Sequence, residues 1–205
     1  MLNVRDLCVA RGGVQILQNL TLNVPAGSAL VLRGPNGIGK TTVLRTLAGL
    51  QPARSGQVEI TQPHAFLGHL DAVKPSLSVA ENLGFWAEIF GHNTAAQVDG
   101  TLAAFDLTAL ATRLAGTLSA GQKRRLALAW LQISGAGLWL LDEPTVSLDD
   151  ANVALFQTAL AQHLGHGGAA VLSTHIALGI TAPELDLTPY KCQHLASSDF
   201  DGAFL

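Results

Sequence analysis

A glycine-rich loop with one lysine and two threonines, GPNGIGKTT, occupies residues 34–42 of this 205-residue chain. Gly34, Gly39, Lys40 and Thr41 have the spacing G-x-x-x-x-G-K-[ST], which is typical of loops that bind a polyphosphate. Glycines let the main chain curl until successive N–H groups point at one anion, and the lysine adds a positive charge. The threonine hydroxyl can hold Mg²⁺. The alternative is a glycine-rich turn without a ligand, but a strand pattern before the loop and a helical pattern after it favour the phosphate site.

Two adjacent carboxylates, Asp142 and Glu143, follow the apolar run LWLL. The run predicts a buried strand, and ligands of an open α/β sheet bind at the carboxyl ends of its strands. Asp142 can hold Mg²⁺ through water, and Glu143 can orient or deprotonate an attacking water. Alone, the pair is equally typical of a strand end with two solvated carboxylates. Beside a phosphate loop, it favours phosphoryl chemistry.

The segment LSAGQ at residues 118–122 allows two interpretations. Ser119 and Gln122 have the spacing of a capping box, which would open the helix KRRLALAWLQI. An exposed helix amino terminus with a serine hydroxyl and a bare glycine, here Gly121, is also a site for an anion. Both interpretations place the Ser119 hydroxyl at the amino terminus of a helix, so the sequence does not choose between them.

The elements that must position these residues form an α/β pattern with a helical interruption. Hydrophobic periodicity predicts strands at residues 2–10, 14–24, 29–33, 55–60, 64–70, 138–144 and 169–174. It predicts helices at residues 79–90, 95–105, 120–133 and 149–164, with a capping box at the first of them, SVAE. The first two strands alternate apolar and polar residues, as half-exposed antiparallel strands do.

The hydrophobicity and net charge of the chain argue against some classes of function. The chain is 48% hydrophobic and 13% charged, with a mean hydropathy of +0.32, yet no apolar segment reaches the roughly 18 residues that span a bilayer. We therefore expect a water-soluble body with an apolar docking surface. The net charge of −3 argues against a nucleic-acid partner. Cys8 and Cys192 are expected to be free thiols.

Five motifs occur in the order in which ATP-binding cassette (ABC) proteins carry them: GPNGIGKTT, LSAGQ, LLDEP, SLD and STH. Their spacing is also similar, and the match covers nearly the whole chain. The chain therefore resembles ABC ATPases. The resemblance implies an α/β P-loop NTPase core with an amino-terminal antiparallel β subdomain. It also implies a single ATP-binding domain over residues 1–205, with an inserted α-helical subdomain at about residues 75–134.

The resemblance further implies ATP and Mg²⁺ as ligands, held between two copies of the chain that pack head to tail. The phosphate loop of one copy would contact ATP through Gly34, Pro35, Asn36, Gly37, Ile38, Gly39, Lys40, Thr41 and Thr42. The second copy would contribute Ser119, Gly121 and Gln122.

Catalytic and coupling roles follow from the same resemblance. The implied catalytic residues are Lys40, Glu143 and His175. The implied metal ligands are Thr41 and, through water, Asp142. His175 would contact the γ-phosphate, and Asp149 would help to couple the two sites across the dimer.

Two positions depart from the family pattern. His69 stands where most cassettes have a glutamine, and a neutral imidazole can still accept a hydrogen bond from a metal-bound water. No aromatic residue near the amino terminus is available to stack on adenine. Arg11 is either a cover for the base or an ordinary solvated arginine.

Finer features of the chain resemble the CcmA family, the haem-exporter ATPases of bacterial cytochrome c maturation. These features are the segments LSAGQKRRLALA and GGAAVLSTH and the LGH in place of a glutamine. The resemblance implies peripheral attachment to the cytoplasmic face of the inner membrane, with integral partners like CcmB and CcmC. It implies that hydrolysis drives haem delivery or release of a haem chaperone. The alternatives are the ATPase of a transporter for another small substrate, a soluble ABC ATPase that does not transport, or a non-catalytic nucleotide-binding module.

An apolar cluster at residues 85–90 and two pairs of potential metal ligands also have functional potential. Phe85, Trp86, Ile89 and Phe90 are either ordinary core or a surface that faces a membrane partner. The pairs His163 with His166 and Cys192 with His194 are interpreted as structural or solvated, because no further ligands lie near them in the sequence.

Overall fold

The computed structural model describes residues 1–68, 72–91, 95–174, 176 and 179–192. In chain order, its strands and helices are β1 (Leu2–Arg11), β2 (Val14–Val24), β3 (Ala29–Arg33), α1 (Lys40–Leu47), β4 (Ser55–Ile60), β5 (His64–Leu67), α2 (Val79–Ile89), α3 (Ala95–Ala104), α4 (Ala120–Ile133), β6 (Leu138–Asp142), α5 (Asp150–Gly165), β7 (Ala169–Ser173) and β8 (Glu184–Asp186). Short 3-10 helices occupy Thr108–Leu110, Ala115–Thr117 and Thr188–Tyr190.

The strands form two sheets. Within the described ranges, β2, β1 and β4 make an antiparallel sheet in the order β2-β1-β4, and the remaining strands make a parallel sheet in the order β5-β6-β7-β3-β8. Because all strands of the second sheet run the same way, their carboxyl ends share one edge. The loops after β3 and β6 therefore lie at the same edge, as the sequence predicts.

Alternation along β6 divides the core into two layers. Leu138 and Leu140 pack with α1 and the antiparallel sheet on one face of the parallel sheet. Trp139 and Leu141 pack with α2 to α5 on the other face. Strands β3, β5, β6 and β7 therefore have apolar side chains on both faces of the parallel sheet, which explains the continuous apolar runs in the sequence.

The helical interruption begins where the sequence predicts it. Ser78 Oγ accepts a hydrogen bond from the N–H of Glu81 at 3.2 Å, and Glu81 Oε2 accepts one from the N–H of Ser78 at 2.7 Å. Helices α2, α3 and α4 pack on one another and cover the face of the sheet that carries Trp139. The predicted α/β class, with antiparallel strands at the amino terminus and inserted helices, is confirmed.

Several element ends differ by a few residues from the sequence predictions. For example, β5 ends at Leu67, and β6 ends at Asp142 rather than at residue 144. Strand β8 was not predicted, because its three residues, ELD, show no periodicity and its strand character comes from pairing with β3. Among the described residues, no helix is long and apolar enough to cross a membrane.

Candidate functional site

The phosphate loop joins β3 to α1 through three glycines in conformations that other residues avoid. Gly34, Gly37 and Gly39 have φ values of 132°, 81° and 119°. A Cβ atom on Gly39 would lie 2.8 Å from Cδ1 of Ile16, closer than real Cβ contacts. The conformation therefore favours glycine at residue 39, and any other residue would also force the end of the Ile16 side chain to move.

Lys40 opens α1 and turns back over the loop. Its Nζ donates hydrogen bonds to the carbonyl oxygens of Gly34 at 2.8 Å and Pro35 at 3.4 Å, and only 9% of the residue is exposed. Gly39, the residue before the helix, provides no side-chain cap. The first main-chain N–H groups of α1 and the lysine ammonium thus lie together, an arrangement that attracts phosphate.

Asp142 receives hydrogen bonds on both carboxylate oxygens. The Thr41 hydroxyl donates to Oδ2 at 2.7 Å, and the Ser173 hydroxyl donates to Oδ1 at 2.7 Å. The Asp142 residue is 1% exposed. These contacts join α1 and the carboxyl ends of β6 and β7, so the threonine and the carboxylate are held as neighbours.

Glu143 has a left-handed main chain, with φ of 49°. Its N–H contacts both the carbonyl and the hydroxyl of Ser173 at 3.1 Å, and its carbonyl accepts a 2.8 Å hydrogen bond from Nη2 of Arg124. A non-glycine residue in this region is uncommon and costs conformational energy. The surrounding hydrogen bonds hold the main chain of Glu143 in that conformation.

Lys40, Thr41, Asp142 and Glu143 line one cleft of about 260 Å³. Its lining consists of Arg11, Asn36, Gly37, Gly39, Lys40, Thr41, Thr42, Asp142 and Glu143. One wall carries main-chain N–H groups and an ammonium, and the other carries two carboxylates. The cleft therefore suits a polyphosphate together with a divalent cation, and the hydroxyl and carboxylate oxygens of Thr41 and Asp142 are the hard ligands that Mg²⁺ prefers.

Comparison with known proteins agrees with this chemistry. A family model for the ABC transporter matches residues 17–146. The chain belongs to the ABC transporter family. It is accordingly an ATP hydrolase of the ABC type.

Two curated relatives and one solved structure show how far the similarity extends. The "Cytochrome c biogenesis ATP-binding export protein CcmA" of Paracoccus denitrificans is 57% identical over 95% of this chain and 92% of its own length. The protein of the same name from Ruegeria pomeroyi is 52% identical over 100% of this chain and 99% of its own. A Pyrococcus furiosus chain assigned as an ABC transporter ATP-binding protein superimposes with a TM-score of 0.84 at 25% identity, covering 93% of this chain and 99% of that one.

The LSAGQ motif of this ABC protein forms the capping box that the sequence predicts. Ser119 Oγ accepts from the N–H of Gln122 at 3.3 Å, and Gln122 Oε1 accepts from the N–H of Ser119 at 3.0 Å. Ser119 is exposed, and neither residue lines the cleft. A Cβ on Gly121 would lie 3.0 Å from the carbonyl oxygen of Ser147, so the motif packs closely against the SLD segment.

Asp149 is the N-cap of α5. Its Oδ1 accepts from the main-chain N–H of Asn152 at 2.9 Å and from Nδ2 of the same residue at 2.7 Å, and the residue is exposed. His69 and His175 lie outside the described residues, so their implied roles stay predictions.

Two further residues at the ABC site were missed by the sequence analysis. Ser173 belongs to the STH motif, but its contact with Asp142 follows from the parallel register of β6 and β7, which pairs these two residues. Arg124 is only 4% exposed, although it lies in the basic run KRR of α4. Burial of an arginine needs hydrogen-bond acceptors nearby, but the sequence of this run does not show which of its basic residues is buried.

A second cavity, of about 320 Å³, lies at the amino ends of β6 and β7, at the opposite edge of the sheet from the cleft. The rings of Trp139 and His163 stack there with centroids 3.9 Å apart and planes 7° apart. His163 Nε2 lies 3.1 Å from the carbonyl oxygen of Ala169. Burial lowers the pKa of His163, while hydrogen bonds to the carbonyls of Ala169 and Gly137 oppose that change. His163 thus packs as a neutral structural side chain.

The aromatic residues of α2 divide between core and surface. The Trp86 ring stacks on the rings of Trp130 and Phe90, with centroid distances of 5.5 and 5.9 Å. Ile89 is 55% exposed and Phe90 is 37% exposed. The carboxyl end of α2 therefore presents apolar surface to solvent.

Proposed function

We propose that this chain is the ATP-hydrolysing subunit of a membrane export complex for cytochrome c biogenesis. The observation that carries the proposal is the 57% identity to a relative of that name over 95% of this chain and 92% of the relative. Substrate-specific partners differ widely within the ABC family, so identity at this level over nearly the full length is a stronger guide than the shared ATPase motifs. In this proposal, hydrolysis drives haem delivery or the release of a haem chaperone.

The cleft binds the triphosphate of ATP through the phosphate loop. Main-chain N–H groups of residues 36–42 contact the β- and γ-phosphates, and the ammonium of Lys40 exchanges its carbonyl partners for phosphate oxygens. Thr41 and, through water, Asp142 would hold Mg²⁺, which neutralises charge on the phosphates when it is bound. Binding thus uses residues that the fold already places together.

Hydrolysis needs a water held in line with the γ-phosphate and a base to take its proton. Glu143 lines the cleft directly after β6, and its carboxylate accepts the proton as the water oxygen bonds to phosphorus and the bond to ADP breaks. Asp142 is assigned to the metal instead, because it is 1% exposed and the Thr41 and Ser173 hydroxyls hold its carboxylate beside the phosphate loop. The two carboxylates therefore have different functions.

A second copy of the chain completes the site in the head-to-tail dimer that the family resemblance implies. Its Ser119, Gly121 and Gln122 would contact the γ-phosphate, which fits the exposed amino terminus of α4. Asp149 would couple the two sites, and His69 and His175 would contact the bound nucleotide and its water.

Integral membrane subunits, similar to CcmB and CcmC, are the proposed partners. The exposed apolar end of α2, formed by Ile89 and Phe90, is available for such a contact. Docking there would place the chain on the cytoplasmic face of the inner membrane as a peripheral subunit. Burying these side chains against a partner is favourable at about 25 cal/mol per Å² of apolar surface.

Replacement of Glu143 by glutamine tests the proposal. We expect the Glu143→Gln variant to bind MgATP with normal affinity, to lose most ATP turnover, and to abolish accumulation of c-type cytochromes with covalently attached haem. Glu59→Gln, at an exposed carboxylate on the antiparallel sheet, is the matched control and should leave both readouts unchanged. Normal cytochrome levels with inactive Glu143→Gln protein would contradict the biogenesis role, and normal turnover would contradict the role of Glu143.

A further inference from the structure

Arg124 contacts the catalytic loop from inside the protein. The residue lies in the first half of α4 and is 4% exposed. Its Nε donates to the carbonyl oxygen of Pro144 at 3.0 Å, and its Nη2 donates to those of Glu143 at 2.8 Å and Asp142 at 3.4 Å. Its Nη1 donates to the carbonyl oxygen of Gly68 at 2.8 Å.

The guanidinium therefore joins three segments that are distant in sequence. Arg124 belongs to the helix that begins with LSAGQ, Gly68 follows β5, and Asp142 to Pro144 form the loop after β6. A guanidinium presents five N–H donors in a rigid planar fork, whereas an ammonium has three donors on a single freely rotating nitrogen. Movement of α4 relative to the sheet would break or stretch these hydrogen bonds.

The contact with Glu143 is the most informative, because the main chain of Glu143 is left-handed. Its φ of 49° is disfavoured for a residue with a side chain. Ser173 holds its N–H, and Arg124 holds its carbonyl. The peptide groups on both sides of the Glu143 side chain are thus restrained, and the direction of the carboxylate depends on both restraints.

We propose that Arg124 is a positioning residue for ATP hydrolysis, which holds the main chain of Glu143 so that its carboxylate faces the cleft and which makes that position depend on α4. The inference rests on the proposed role of Glu143 as the base. Arg124 touches none of the phosphate-loop residues through these hydrogen bonds. Its loss should therefore reduce the chemical step and spare nucleotide binding.

Arg125 provides a matched control in the next position of the same helix. It is also buried, at 9% exposure, but its Nη1 donates to the carbonyl of Phe105 and to the carbonyl and carboxylate of Asp106, within the helical part of the chain. Removal of either arginine takes away a buried charge and its hydrogen bonds. Only removal of Arg124 takes away the 2.8 Å side-chain hydrogen bond to the Glu143 carbonyl, which then keeps the 3.3 Å bond from the N–H of Val146.

The experiment compares Arg124→Met, Arg124→Lys and Arg125→Met with wild type, using the full chain in its membrane complex at a temperature below every melting transition. We expect Arg124→Met to lower kcat about 10- to 100-fold, the scale of a misplaced catalytic group, with the Kd for MgATP within about twofold. Arg124→Lys should lie between Arg124→Met and wild type, because an ammonium can replace only part of the fork. Arg125→Met should keep kcat within about twofold although its melting temperature falls.

Three results would overturn the inference. They are normal kcat in folded Arg124→Met, an equal loss of kcat in Arg125→Met, or a rise in the Kd for MgATP that accounts for the whole loss. If Arg124→Met does not fold, a wild-type kcat in folded Arg124→Lys would also overturn it. Glu143→Gln in the same assay separates the two proposals. An active Glu143→Gln complex would reject the role of Glu143 as the base. An inactive Glu143→Gln complex together with an active Arg124→Met complex would reject only the positioning role of Arg124.

Discussion

The hydroxyl of Thr41 donates a 2.7 Å hydrogen bond to Oδ2 of Asp142, although the two residues are 101 positions apart in sequence. The bond joins the amino end of α1 to the carboxyl end of β6. It brings a hydroxyl and a carboxylate oxygen to one point beside the phosphate loop, where the hydroxyl can bind a divalent cation and the carboxylate can hold a water of that cation. The metal requirement of nucleotide binding should therefore depend on the Thr41 side chain.

Replacement of Thr41 by alanine tests this requirement. We expect Thr41→Ala to weaken binding of MgATP by about 1.5–3 kcal/mol, the range for hydrogen bonds and contacts to charged groups, and to change binding of ATP in EDTA little. Thr41→Ser, which keeps the hydroxyl, is the control and should bind MgATP almost normally. Titration with a fluorescent ATP analogue, with and without magnesium, gives both affinities. Equal losses with and without magnesium would contradict the prediction.

Alanine substitutions at two glycines of the phosphate loop separate the cost of a steric contact from the cost of a strained main-chain conformation. Alanine at Gly39 would combine a φ of 119° with a Cβ 2.8 Å from Cδ1 of Ile16, whereas alanine at Gly37 would have φ of 81° and nothing within 4 Å. We expect Gly37→Ala to lose about 1–2 kcal/mol of unfolding free energy from strain, and Gly39→Ala to lose clearly more. Urea denaturation measures both. Equal losses would show that Ile16 moves away without cost.

The outline of the fold could be predicted from the sequence because its strongest signals are local. The run LWLL identifies β6, and four-residue capping boxes identify Ser78 and Ser119 as the N-caps of α2 and α4. The spacing of Gly34 to Thr41 likewise identifies the phosphate loop, since loop and helix are contiguous.

Other features depend on contacts between distant segments and leave no such local pattern. The pairing of Asp142 with Ser173 depends on the register between two strands 31 residues apart. The partners of Arg124 are main-chain carbonyl oxygens, whose positions depend on the path of the chain and not on residue type. Strand β8 exists only because β3 offers an edge to pair with.

The proposed role of Ser119 in ATP turnover can be separated from its role as a helix cap by comparison with Ser78. Ser78 and Ser119 form equivalent capping boxes, on α2 and α4, but only Ser119 lies in the LSAGQ motif. We expect Ser78→Ala and Ser119→Ala each to cost about 1 kcal/mol of unfolding free energy, and Ser119→Ala alone to reduce ATP turnover beyond that stability loss.

A bulky charged replacement gives the stronger form of the same test. Ser119→Arg should block hydrolysis while a single copy still binds ATP, because the side chain would obstruct the nucleotide bound to the second copy. Turnover is measured in the membrane complex and binding in the purified chain. If turnover followed stability equally in the variants of Ser78 and Ser119, the role across the dimer would be refuted.

His163 should make the stability of the chain depend on pH. Burial lowers its pKa in the folded state below the value of about 6.5 in the unfolded chain. Between these two pKa values the unfolded chain binds more protons, so the free energy of unfolding falls as the pH falls below about 6.5, by at most about 1.4 kcal/mol per pH unit for one group. Above that pH, His163 is neutral in both states and contributes no slope.

Replacement by glutamine removes the titrating group and keeps a donor for the carbonyl of Ala169. We expect His163→Gln to flatten the stability profile between pH 7.5 and 5.5, as measured by urea denaturation at each pH. His166→Gln is the control, because His166 is exposed at the end of α5, where its Nδ1 lies 2.7 Å from the carbonyl oxygen of Gln162. An unchanged slope in His163→Gln would show that the stacked imidazole of His163 accepts a proton as readily in the folded chain as in the unfolded one.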